Sequence, residues 1–395
     1  MSPEDRTYTG LSTRAVHGGE ERFKYAKSVT QAIVPTSTYV FEDLDEFHAY
    51  KAGRSQHYEY GRYGNPTVGA AERKLAALEQ AEGALLFPSG MSAVTTVLLA
   101  MLTSGQHLVL AGDCYRKTAQ FAGVIERFGI QSTLVPTGDV AGLLRAVRSN
   151  TRLIFVESPT NPHLRIVDLA RLVTLARERQ LKVVVDSTFG TPINQRPLDV
   201  GVDLVVHSAT KYLGGHNDLV AGSVCGSNSL LQALRDFRGL IGAMPDPHSA
   251  YLLIRGMKTL AVRVAWQNQS GLRLAQYLER HAKVKRVYYP GLPSHPQHDL
   301  ARQQMRGFGG VVSFDIDGDL ERTRAFIHAL ELPYLAPSLG GTESLVSHPA
   351  TLSYHDLSRE ERLAIGIKDE LVRYAVGLED PDELIADLEQ ALARI

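Results

Sequence analysis

The chain has few cysteines. Cys114 and Cys225 are the only two in 395 residues, and they form no C-x-x-C pair. A disulfide framework and a zinc–thiolate centre are therefore not expected. Charge of one sign is not in excess either. The 42 basic and 43 acidic residues nearly cancel, leaving a net charge of −1. Nothing global attracts nucleic acid or an anionic membrane. Long apolar runs are missing too. The greasiest stretch, AVTTVLLAML at 93–102, is too short to span a bilayer. The first residues, MSPEDRTYTGLSTRAVHGGEERF, are polar and lack the apolar centre of a secretory signal. The expectation is a cytoplasmic protein without membrane or nucleic-acid partners.

What is present is a rhythm. Apolar runs recur as GALLF (83–87), HLVLAG (107–112), IQSTLV (130–135), RLIFVE (152–157), LKVVVD (181–186), VDLVVH (202–207) and LVAGSVC (219–225). Stretches of helical spacing separate most of them; in DLARLVTLARERQ, Leu169, Leu172 and Leu175 share a face. Continuously apolar strands alternating with helices predict an α/β fold, with a mostly parallel sheet covered on both sides. The segment before it is polar, rich in Tyr and charge, and without a period, so it reads as an extended arm lying on the body or on another subunit. Beyond about 256, a long amphipathic stretch leads into the strand-like VKRVYY, GGVVSFDI and LVRYAVGL, which predicts a smaller α+β unit. The expected division is 1–62, 63–256 and 257–395.

Parallel sheets bind ligands beyond the carboxyl ends of their strands. Asp186 closes LKVVVD; it reads either as a turn cap or as a counter-charge to a protonated ring nitrogen. Lys211 follows 25 residues later, flanked by Ser208 and Thr210, as a loop lysine or a reactive amine. FPSGMSAV, with Gly90 and Met91, opens an apolar helix whose free amides suit a phosphate, although any Ser can cap a helix. Asn161 in ESPTNP is a turn residue or a hydrogen-bonding group. Tyr115 with Arg116 and Lys117, and Tyr60 with Arg62, pair an aromatic with cations. Arg373 stands in an otherwise apolar strand and calls for a carboxylate partner. An amine, an acid for a ring nitrogen, a stacking aromatic and phosphate donors together meet the requirements of pyridoxal 5′-phosphate. His295 and His298 form a histidine pair without supporting metal ligands.

The motifs YGRYGNPT, SGMSA, ESPTNP, VVDSTF, HSATKYLGGH and SLGGTESL stand in order along nearly the whole chain. In them the chain resembles the Cys/Met-metabolism family of fold-type I pyridoxal-phosphate enzymes. DCYRKT, YLLIRGMKTL, VYYPGLPSHPQHDLA and ERLAIGIKDELVR make it most similar to the plant-type cystathionine γ-synthases of transsulfuration and methionine biosynthesis. The resemblance implies a catalytic set of Lys211, as the imine-forming amine, Asp186, Tyr115 and Tyr60. It implies Gly90, Met91, Ser208 and Thr210 on the cofactor phosphate, with Tyr60 and Arg62 reaching it from a neighbouring subunit. It places Asn161 at the ring oxygen, and Asn161, Ser338 and Arg373 at the substrate carboxylate. Lys117 would meet a charged leaving group, and Glu343 the incoming amino acid. The partners implied are small amino-acid substrates and further copies of the chain, in a homotetramer built as a dimer of dimers. The activity implied is γ-replacement on O-phospho- or O-succinyl-homoserine by cysteine. γ-Elimination, sulfide as acceptor and a different nucleophile are the alternatives. Ser187, Gly190, Ser347-His348 and Tyr354-His355 depart from the plant-type pattern near these motifs. They leave room for another acyl group or nucleophile.

Overall fold

A computed structural model describes residues 8–136 and 139–395. Among them, seven strands form the large sheet: β1 (Gly83–Phe87), β2 (His107–Ala111), β3 (Gln131–Val135), β4 (Thr151–Glu157), β5 (Lys182–Asp186), β6 (Leu204–His207) and β7 (Gly222–Gly226). Their order is β1-β7-β6-β5-β4-β2-β3. Only β7 runs against the rest, pairing antiparallel with β1 and β6. Each of the seven apolar runs is thus a strand, and the sheet is mostly parallel as expected.

The strands are apolar on both faces because helices cover both. Leu153, Phe155, Val184, Leu204 and Val206 pack in one layer with Ala93, Val94, Val97 and Leu98 of the helix Gly90–Met101. Ile154, Val156, Val183, Val185 and Val205 pack in the other with Leu169, Leu172, Val173 and Ala176 of the helix Leu169–Arg177. Side chains alternate along a strand with period two. Glu157, Asp186 and Ser208 therefore extend the same face as Phe155, Val184 and Val206. That is the face covered by the helix Gly90–Met101.

A second sheet holds β8 (Val284–Tyr288), β9 (Val311–Ile316), β10 (Tyr334–Leu335), β11 (Leu345–Ser347) and β12 (Leu371–Ala375), in the order β10-β11-β12-β9-β8. β10 and β11 were not legible, being only two and three residues long. The amphipathic stretch beginning at Met257 is not one helix. It breaks at Thr259, between Pro247–Lys258 and Leu260–Arg280. Arg373 lies on β12 between Ser347 of β11 and Ser313 of β9. Ser313 Oγ donates to the Pro162 carbonyl at 2.7 Å, fastening the small sheet to the segment after β4.

The arm differs from a purely extended segment. Leu11–His17 is a helix that packs on Pro66–Glu79 and Pro247–Lys258. Its C-terminal carbonyls are captured by the buried Lys74, whose Nζ donates to Ala15 at 2.9 Å and Val16 at 3.0 Å. A helix C-terminus favours a cation there. Glu20 then gathers Lys24 at 2.8 Å, Lys258 at 2.9 Å and Lys74 at 3.1 Å. Further along, Phe23, Tyr25, Val29 and Val40 are exposed.

Burial acts to raise the Glu20 carboxyl. The hydrogen bonds from Lys24 and Lys258 and the charge of Lys74 outweigh it, and the group is lowered from 4.5 to about 2. A depressed folded value stabilises the native state above the ordinary value, and the gain is lost as pH falls through the folded one. Docking of the arm helix should therefore weaken between pH 4.5 and about 2. Glu20→Gln should lose about 1.5–3 kcal/mol at neutral pH, the contribution of charged hydrogen bonds, and should show a flatter acid limb. Thermal unfolding of both proteins across this pH range is the check.

Candidate active site

The strand ends place the site. Asp186 Oδ1 accepts from the Thr188 amide at 3.0 Å and the Thr188 hydroxyl at 2.6 Å. The same hydroxyl oxygen accepts from the Ser208 amide at 2.8 Å. Thr188 thus locks the end of β5 to the turn after β6. Burial raises the Asp186 carboxyl, and the two Thr188 hydrogen bonds oppose it. A protonated ring nitrogen opposite it would supply the missing cation.

Lys211 stands three residues beyond Ser208, in the turn its amide closes on the Ser208 carbonyl at 3.1 Å. It is not a solvated loop lysine. Its Nζ donates to Ser338 Oγ at 2.6 Å, and burial, with the Arg373 charge nearby, lowers it to about 8. Arg373 is buried without a carboxylate. Its Nη1 donates to Asn161 Oδ1 at 3.0 Å and its Nη2 to the Ser338 carbonyl at 2.9 Å, while Nε has no partner. Burial brings it down to about 10. The partner expected from sequence is not in the fold, so the cation remains available to a bound carboxylate.

Gly90 begins its helix after Ser89, which caps it by accepting from the Ser92 amide at 3.0 Å. A Cβ at position 90 would lie 2.9 Å from Ser208 Cβ. The helix start and the turn after β6 touch only because residue 90 is glycine. That cradle brings the amides of Gly90 and Met91 beside the Ser208 hydroxyl, the donor set for a phosphate. Thr210 Oγ1 is engaged with Ala221, donating to its carbonyl at 3.2 Å and accepting from its amide at 3.0 Å. The residues fit pyridoxal 5′-phosphate: a cradle for the phosphate, an acid for the ring nitrogen, and a buried amine lowered to about 8.

Tyr115 precedes the helix Arg116–Val124 with its ring exposed, and its amide donates to Glu157 Oε2 at 2.6 Å. Arg116 turns away to the small sheet's side, holding Ser353 and Asp356 and covering the Tyr354 ring at 5.1 Å. Lys117 is exposed. Glu343 accepts from Asn217 at 2.7 Å and Thr342 at 2.9 Å. Tyr60 and Arg62 stack on one another at 5.5 Å and line a separate cleft of about 390 Å³ with Pro35, Met244 and Pro247. The departures resolve differently. His348 is buried, its ring spent on Thr351 at 2.9 Å and the Asp369 carbonyl at 2.7 Å. His355 is exposed, its ring on the Leu352 carbonyl at 3.3 Å. His295 and His298 satisfy backbone groups of Gln297 and Pro290.

The sequence pattern of the family described as "Cys/Met metabolism PLP-dependent enzyme" matches residues 12–393. The chain belongs to this family. Its enzymes use pyridoxal 5′-phosphate, the cofactor the donor set fits. Among relatives, cystathionine gamma-synthase 1, chloroplastic, of Arabidopsis thaliana is 50% identical over 96% of this chain and 68% of its own. L-methionine gamma-lyase of Fusobacterium nucleatum subsp. polymorphum is 41% identical over 98% of each. The crystal structure of metB from Corynebacterium glutamicum superposes with a TM-score of 0.92 at 38% identity, covering 100% of this chain and 99% of that one. These agree with the fold-type I architecture.

Glu157 was missed in the sequence, although it closes RLIFVE as Asp186 closes LKVVVD; the strand-end rule applied to both. Ser187 and Gly190 turn out to be one packing change. A methyl at 190 would lie 2.8 Å from Ser187 Oγ, so the hydroxyl occupies the methyl's space. Gly190→Ala should destabilise by about 1–3 kcal/mol through overpacking. Adding Ser187→Gly should restore part of it, since Gln195 Cβ would still lie 3.1 Å from the methyl. Denaturant midpoints of the two variants and the parent test the coupling.

Proposed function

We propose that the chain catalyses γ-replacement on an activated homoserine ester, O-phospho- or O-succinyl-homoserine, with cysteine, to give cystathionine. Two cations at opposite ends of the site carry the reading. Arg373, buried and without a carboxylate, suits the α-carboxylate. Lys117, exposed at the helix start beside Tyr115, suits a distal anion. Arg116 is engaged with Ser353, Tyr354 and Asp356, which leaves Lys117 as the free charge of the pair. The 50% identity to a protein named cystathionine gamma-synthase supports the same reaction.

Bound pyridoxal 5′-phosphate supplies an electron sink for charge developing beside Cα. The chain supplies the rest. Asp186 would hold the ring nitrogen's proton, and Tyr115 would cover the ring. Gly90, Met91, Ser208 and Thr210 would hold the phosphate. Asn161 and Arg373 orient the substrate. Lys211 Nζ, steered by Ser338 Oγ, takes the Cα proton and then moves a Cβ proton. The Cγ–O bond breaks with release of phosphate or succinate, and the thiol sulfur of cysteine forms the new Cγ–S bond. The thiol proton leaves with the released acid. Glu343, held by Asn217 and Thr342, would receive the second amino acid.

Tyr60 and Arg62 lie in a cleft apart from their own Lys211, and the exposed apolar side chains of the arm call for cover. Both support sites completed between subunits, in a homotetramer built as a dimer of dimers. The division into an arm (1–62), a cofactor unit (63–256) and a C-terminal unit (257–395), and a cytoplasmic location, belong to the same proposal. No helix among the described residues is long and apolar enough to cross a membrane.

γ-Elimination is the second reading, favoured by the 41% identity to a methionine gamma-lyase. Product analysis separates the two. Phospho-, succinyl- and acetyl-homoserine are each incubated with and without cysteine. Cystathionine should dominate when cysteine is present; 2-oxobutanoate as the main product in both arms overturns γ-replacement. Lys117→Ala should raise KM for the anionic esters about tenfold or more, the scale of one charged hydrogen bond, and should change KM for the acetyl ester little.

A further inference from the structure

Glu157 and Asp186 are register partners at the ends of β4 and β5. Glu157 is 2% exposed and Asp186 7%. Their hydrogen-bond donors are neutral: the Tyr115 amide, with the Asn161 amide, for Glu157, and Thr188 for Asp186. Glu157 Oε1 is buried with no partner. Two carboxyl groups side by side in a dry site do not both ionise. Asp186 is the one that would meet the ring nitrogen, and its Oδ1 takes both the Thr188 amide at 3.0 Å and the Thr188 hydroxyl at 2.6 Å. Burial first, then the Asp186 charge, push the Glu157 carboxyl well up, against the Tyr115 amide. Asp113, Cys114, Tyr354 and Arg373 also face it.

We propose that Glu157 is a positioning residue that stays protonated at working pH, seating the stacking Tyr115 through its backbone amide while leaving the charge of Arg373 to the substrate. An ionised Glu157 would draw on the same guanidinium as the substrate carboxylate. A neutral one still accepts from the Tyr115 amide and leaves Asp186 as the anion at the ring. The inference rests on the family's cofactor and on Arg373 as the carboxylate site, and is independent of which ester reacts.

Glu157→Gln is the decisive variant, being isosteric, neutral and still able to accept from the Tyr115 amide. In the full-length holoenzyme its cofactor dissociation constant, visible spectrum and KM should stay within about twofold of the parent across about pH 6–9, because a neutral acid and an amide present the same acceptor and no charge. Glu157→Ala, without the acceptor, should lose cofactor affinity about tenfold. Infrared difference spectra of the parent against Glu157→Gln should show the loss of one protonated-carboxyl stretch, a readout that needs no turnover. A lowered KM or displaced pH profile in Glu157→Gln, a missing carboxyl band, or unchanged affinity in Glu157→Ala overturns the proposal. If the parent forms no cystathionine while the carboxyl band is present, the substrate assignment fails and the protonated Glu157 stands.

Discussion

Arg373 is the group on which the site depends. A guanidinium buried without a carboxylate is unfavourable unless its protons are used. This one uses them on Asn161, from the segment after β4, and on the carbonyl of Ser338, from the small sheet's loop. The two sheets therefore meet around a cation. Ser338 in turn holds Lys211, and it does so at φ 146°, a backbone region that L-residues rarely adopt. The Arg373 charge also joins burial in lowering the Lys211 amine. One buried charge thus ties Asn161 to the Ser338 loop that holds the amine, and adds to the burial that lowers that amine.

The large sheet makes this arrangement possible through its pleat. Because side chains alternate, the last residues of β4 and β5 and the first after β6 fall on one face, under one helix start. Nothing beyond strand register is needed to gather Glu157, Asp186, Ser208 and Gly90. Thr188 completes the join, accepting from the Ser208 amide while donating to Asp186. The small sheet brings what the large one lacks, which is positive charge on a rigid strand.

Legibility in the sequence follows the same division. All seven strands of the large sheet could be read: β4, β5 and β6 because covered parallel strands are continuously apolar, and the half-exposed edge strand β3 from its spacing between helical stretches. β10 and β11 could not, because two or three residues carry no period. The break at Thr259 was hidden because the apolar face of Pro247–Lys258 runs on into Leu260–Arg280 without a glycine or proline between them. Strand-end residues could be listed, but their partners could not. Arg373 called for a carboxylate and has an amide oxygen and a carbonyl instead. The arm was legible as polar and aperiodic. Its first helix was not, since seven residues held by Lys74 from 56 or more residues away show no amphipathic pattern of their own.

Under the proposed reaction, Lys211 and the groups around it would serve replacement and elimination alike, so they do not distinguish the two. The distinction belongs to whatever occupies the space beyond the substrate's γ-carbon. DCYRKT offers two cations in a row, of which the family resemblance already pointed to Lys117. Arg116 reaches across the seam to Ser353, Tyr354 and Asp356, so it is spent on holding the small sheet's segment against the helix that follows Tyr115. That contact fixes the start of the helix and leaves Lys117 as its exposed neighbour. His348, a departure that looked like a change of specificity, is a buried histidine satisfied by its own loop. Ser187 and Gly190 exchange a methyl for a hydroxyl inside the packing. That leaves the exposed His355 and the charge pattern after Tyr115 as the groups that would select the leaving group.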